Sequence, residues 1–221
     1  MKVFRNIRFI AAFFLFVGIS SFGFAKTLRV GIVFDGPSDN TLGFVREIEE
    51  ELPNTIHTND KILFPADSRV AGKFDVNKIK IGLVQLMGNK NVDAILAIGP
   101  VASHLAANLD NYSKPVIAAH IYNATMQKIK QKNGTSGVKN LSYIDMNLDI
   151  GQHIDKYQEI KTFKKLHLLI SPYMLKGIPQ LADSLKIQTE KAGVDLKILP
   201  SNIRAGEIAT SLKDAEAVYV A

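Results

Sequence analysis

The chain has 221 residues, 47% of them hydrophobic, enough for one large domain or two small ones with a sizeable core. It contains no cysteine, so it has neither a disulfide framework nor a cysteine to carry a lipid. The formal charge of +6 includes Lys2, Arg5 and Arg8, and residues 1–25 hold no acid, which leaves +3 on residues 26–221. The basic clusters Lys128, Lys130, Lys132 and Lys161, Lys164, Lys165 are short and read as solvated faces, so no nucleic-acid partner is expected.

In chain order, the three N-terminal basic residues precede an uncharged run from Phe9 to Ala25, with Gly23 and Ala25 as the small residues of a cleavage site. Residues 1–25 read as a signal peptide cleaved near Ala25, leaving a protein free in the periplasm with no stable membrane insertion. The alternative, an uncleaved anchor, is at the short limit of a bilayer span. Residues 27–34, TLRVGIVF, are β-branched and apolar and read as a buried strand. Gly31 and Gly36 have the spacing of a phosphate loop, but Gly31 lies inside the strand and Pro37 stands where the lysine belongs, so no nucleotide site is expected.

The spacing of Phe44, Val45, Ile48 and Leu52 predicts a helix over 41–52, followed by a strand at 60–64. A second helix spans 77–89 with Ile79, Leu83 and Leu86 or Met87 inward. Then come a strand at 93–99, an alanine-rich helix at 101–109 and a strand at 115–121. Residues 128–149 are polar and Gly-containing, with an apolar centre at Leu141 to Ile144, and read as a crossover. Beyond it the plan repeats: helices at 151–163, 177–193 and 205–213 alternate with strands at 165–171, 195–200 and 215–221. Apolar strands separated by helices imply parallel sheets covered on both faces. The expectation is an α/β protein of two Rossmann-like lobes, with lobe one at 26–127, the crossover at 128–149 and a second lobe at 150–221. That second lobe is expected to be incomplete, because the chain stops inside an apolar strand. It would be a fragment, or a natural short variant completed by a partner.

In such sheets ligands lie beyond the carboxyl ends of the strands, which directs attention to loops 35–41, 65–69, 99–103, 122–125 and 171–175. Asp35 suits an ammonium group, and Ser38 and Asn40 suit a carboxylate; the same loop residues also serve to cap the next helix. At Gly99, Val101, Ala102 and Ser103 a carboxylate could dock on helix N–H groups and the Ser103 hydroxyl, or the small residues could serve tight packing alone. Tyr122 and Asn123 follow one strand and Tyr173 another, so two tyrosines could face a ligand from opposite lobes. Enzyme signatures are missing. There is no G-x-S-x-G or G-x-G-x-x-G, no metal-spaced pair among the five histidines, and no carboxylate pair marked out for acid–base work, so no cofactor, metal or catalytic residue is expected.

The order of these motifs resembles the substrate-binding proteins of ABC transporters with the type I periplasmic binding fold. Gly99-Pro100-Val101-Ala102 is similar to a G-T-P-A turn after the third strand, and Thr135-Ser136-Gly137-Val138 to a T-G-V segment at the crossover, with a serine inserted. Tyr122-Asn123 stands where relatives often carry Asp-Pro. The resemblance implies a two-lobed trap that closes on a small, amino-acid-like solute and docks on an ABC-type membrane permease. It implies Asp35, Ser38, Asn40, the Gly99–Ser103 turn, Tyr122 and Asn123 as contacts from lobe one and Tyr173 from lobe two. A sensory or envelope-partner binding module of the same fold is the alternative, and an exported α/β enzyme a third reading.

Overall fold

The computed structural model describes residues 26–55 and 59–220. The expected signal segment and His57 lie outside the described residues. Within them, no helix is long and apolar enough to cross a membrane.

The first sheet is built around β1 (Thr27–Phe34), whose inner half is fully buried. Its neighbours are β2 (Lys61–Leu63) and β3 (Arg69–Ala71) on one side and β4 (Ala94–Ile98) on the other, followed by β5 (Val116–Ile121) and β6 (Leu141–Asp145), all parallel. β2 pairs with Thr27–Arg29 and β3 with Ile32–Phe34, so the two are halves of one edge strand. A 3-10 turn at Ala66–Ser68 interrupts them, capped by Pro65, which has no N–H to give a ladder. Leu141–Asp145 lies within the stretch expected as crossover, and the structure makes it a fifth strand of this sheet. Turn bonds deliver it there: the Ser136 hydroxyl donates to the Leu141 carbonyl at 2.6 Å.

Three helices cover this sheet: α1 (Asp39–Glu51), α2 (Val76–Gly88) and α3 (Pro100–Ala107). Ile79, Leu83 and Leu86 of α2 are buried as the periodicity predicts. α1 differs. Val45 is buried, but Phe44 and Leu52, expected inward, are 46% and 37% exposed. Successive helical positions diverge by about 100°, so a contact centred on Val45 and Ile48 turns Phe44 to the margin.

The second sheet has the order β8-β7-β9, with β7 (Lys165–Ile170), β8 (Asp195–Pro200) and β9 (Ala217–Val220) parallel. Its helices are α4 (Ile150–Ile160), α5 (Pro172–Gly177), α6 (Leu181–Lys191) and α7 (Ala205–Ser211). The helix expected over 177–193 begins at Leu181. The separate short α5 occupies the end of the loop expected at 171–175. One apolar core runs through both lobes, from Val33, Ile95 and Val101 to Ile170, Ile178 and Leu181. A smaller core under Val45 covers the opposite face of β1 and β4.

Candidate functional site

The carboxyl ends of β1 and β4 lie side by side, and Asp35 is the first residue beyond β1. Its N–H donates to the Ile98 carbonyl at 3.2 Å, and its own carbonyl accepts from Phe74 N–H at 2.8 Å, which fixes the backbone. The side chain then turns onto the start of α3. Its carboxylate oxygens accept from the Val101 and Ala102 N–H groups at 3.2 and 2.6 Å. Gly99 makes this approach possible: φ is +98°, and a Cβ there would stand 2.6 Å from the Asp35 carboxyl carbon. Asp35 is only 6% exposed. Burial raises its pKa to about 6, against the two N–H groups and the Tyr173 hydroxyl, which favour the ionised form.

The N–H groups expected to receive a ligand carboxylate are therefore occupied by Asp35 itself. Ser103 is committed as well. Its N–H donates to the Gly99 carbonyl at 2.9 Å. Its hydroxyl donates to the Ala97 carbonyl at 3.0 Å and accepts from His120 N–H at 2.9 Å, tying β4 to β5.

Tyr173, on α5, closes this cluster from lobe two. Its hydroxyl is buried without a hydrogen bond of normal geometry, and burial with the Asp35 charge pushes its pKa upward. Its ring meets Phe74 edge-on at 5.7 Å. α5 lies flush on α3, since a Cβ at Gly177 would come within 2.3 Å of the Val101 side chain. Phe74 escaped the sequence reading. It sits at φ +56° after Lys73 at +53°, a left-handed pair that no Gly or Asn announces.

Tyr122 occupies the step between this cluster and a second feature. Its phenol pKa is raised by burial first, then by the charges of Asp35 and Tyr219. It helps line a cavity of about 160 Å³ between the lobes, with Met126 and Leu148 on one side and Ile170, Met174 and Leu181 on the other. The lining is mainly apolar, with the buried and unpartnered Gln188 Oε1 at its wall. Neither Met174 nor Gln188 carried a signal in the sequence, because only folding brings them opposite Tyr122.

The structure thus gathers Asp35, Gly99, Val101, Ala102, Ser103 and Tyr173, and places Tyr122 beside them. Asn123 is used in the turn: Oδ1 accepts from Met126 N–H at 2.9 Å and Nδ2 donates to the Leu148 carbonyl at 3.2 Å. Ser38 and Asn40 are exposed at the start of α1, where the Ser38 hydroxyl caps by accepting from Thr41 N–H at 3.2 Å. His104 is buried, with its pKa lowered to about 4 by burial, and His167 is buried in β7. Among the described residues no group of three His, Cys, Asp or Glu side chains is placed to hold a metal ion.

No family model matches the sequence, and no curated protein matches it. Solved structures do match in fold. An ABC domain in complex with L-Trp from Streptococcus pneumonia superposes with a TM-score of 0.64 at 18% identity, over 89% of this chain and 65% of that one. A leucine-binding protein from Thermotoga maritima gives 0.61 at 12% identity, over 87% and 55%. A solute-binding protein of an ABC transporter from Rhodopseudomonas palustris in complex with 3,4-dihydroxybenzoic acid gives 0.58 at 16%, over 88% and 54%. The chain has the type I periplasmic binding protein fold, and it spans roughly half to two thirds of the length of these structures.

Proposed function

We propose that the chain belongs to the solute-binding component of an ABC-type transport system. In this reading it is exported to the periplasm, holds a small amino-acid-like solute between its lobes and presents it to a membrane permease. The observation that carries the reading is the meeting of the two lobes at the carboxyl ends of β1 and β4. There Tyr173 from lobe two closes over Asp35, and Tyr122 leads into an inter-lobe cavity. Sites of this kind form where strand ends converge. The fold supports the reading, since structures that share it hold L-Trp and 3,4-dihydroxybenzoic acid. Tyr122 and Tyr173 are the proposed contacts, with Asp35 behind them.

A thermal-shift screen of amino acids, amines and small carboxylates tests this. A solute that binds only the folded state at a hundred times its Kd adds about 2.7 kcal/mol of stability and raises the melting temperature. A panel in which no solute raises it overturns the proposal.

A further inference from the structure

We infer that Asp35 is a built-in anion that fills the N-terminus of α3, so that a solute received here presents a cationic or neutral hydrogen-bond donor and not a carboxylate. The inference refines the solute-binding reading and rests on it for the class of solute.

Every donor position at this helix start is accounted for. Pro100 has no N–H. Val101 and Ala102 donate to Asp35 at 3.2 and 2.6 Å. Ser103 N–H goes to Gly99, and its hydroxyl to Ala97. A helix N-terminus favours an anion through these groups, and here that anion belongs to the chain. A second carboxylate would find no free backbone N–H at this helix start and would face a like charge in a site shielded from water. Gly99 shows the seat is shaped for Asp35, since any side chain there would occupy the carboxyl's place.

Among the described residues no cation stands opposite the charge of Asp35. Among the described residues none of the ion pairs involves Asp35. The titratable groups that face it are Tyr122 and Tyr173; Asp75, near Tyr173, is itself offset by Lys78 and Lys176. A buried carboxylate held by two N–H groups, with the Tyr173 hydroxyl beside it, retains acceptor capacity, because each oxygen carries two lone pairs. The Tyr173 hydroxyl at the same point faces Asp35 without a hydrogen bond of normal geometry, and its oxygen can accept from a donor. An ammonium or another donor completes this arrangement, and an added anion does not.

The test reads the seat directly. The backbone amides of Val101 and Ala102 are followed by 15N–1H NMR during titration with acetate, in the wild type, Asp35→Gly and Asp35→Asn. Asp35→Gly should bind acetate about tenfold or more tightly than the wild type, with saturable shifts at both amides. Asp35→Asn, which keeps one acceptor oxygen, should show a smaller gain and serves if the glycine variant does not fold. Saturation of the wild-type amides as tight as in the variants overturns the inference, and so does the lack of any gain in both variants. The outcome is separate from the solute screen: a screen without a ligand sinks the uptake reading and the solute class, while the amide titration judges the seat alone.

Discussion

Asp35 combines burial, two N–H partners and, among the described residues, no neighbouring cation, and this sets a pH dependence of definite sign. Its folded pKa is raised from 3.8 to about 6. The folded state therefore binds a proton that the unfolded state has released between about pH 4 and 6. The stabilisation is fully present below the unfolded value and is lost as pH rises through the folded one, an order-of-magnitude loss of about 3 kcal/mol. His104 acts in the opposite direction: its pKa is lowered to about 4, so its contribution is lost as pH falls toward that value. Urea unfolding of wild type and Asp35→Asn at pH 4.5 and 7 separates the two. The wild type should lose stability relative to Asp35→Asn between these pH values, and an unchanged difference would refute the assignment. Gly99→Ala belongs to the same cluster. Its Cβ would combine a strained φ with displacement of the carboxyl, and a loss of about 2–4 kcal/mol is expected from denaturant melts.

Elements were legible where the chain writes them as long apolar or periodic runs. β4 is a continuous apolar segment, β1 and β7 are mostly apolar, β8 sets Leu196, Ile198 and Leu199 among polar residues, and α2 repeats Ile79, Leu83 and Leu86 on one face, so their positions follow from pattern. β3 has three residues and α5 six, too few to show a period, and β6 alternates polar and apolar residues inside a polar stretch. The site follows the same division. Asp35, the Gly99 turn and Tyr173 were visible as strand-end residues. Their mutual engagement was not, because it depends on the way α5 packs against α3. That packing makes a prediction. Gly177→Ala would drive a Cβ into Val101 and push α5 away, costing about 1–3 kcal/mol. Hydrogen exchange should rise at the amides of α5 and at Val101 and Ala102; unchanged exchange there would show that the helix contact is not tight.

At the scale of the molecule, the two sheets share one continuous core, and the inter-lobe contact carries both the closed carboxylate and the cavity. The fold supplies the meeting of strand ends, and the local residues give it two tyrosines, an internal carboxylate and an apolar pocket with one unpartnered amide oxygen. The proposed function requires that a small solute bind between the lobes. Calorimetric titration of the best solute from the screen into wild type, Tyr173→Ala and Ser38→Ala tests it most directly. Expected are saturable binding to the wild type, a loss of about tenfold or more in affinity for Tyr173→Ala, and no change for the α1 cap variant Ser38→Ala. Equal affinity in Tyr173→Ala, or no binding heat from any solute, would contradict it.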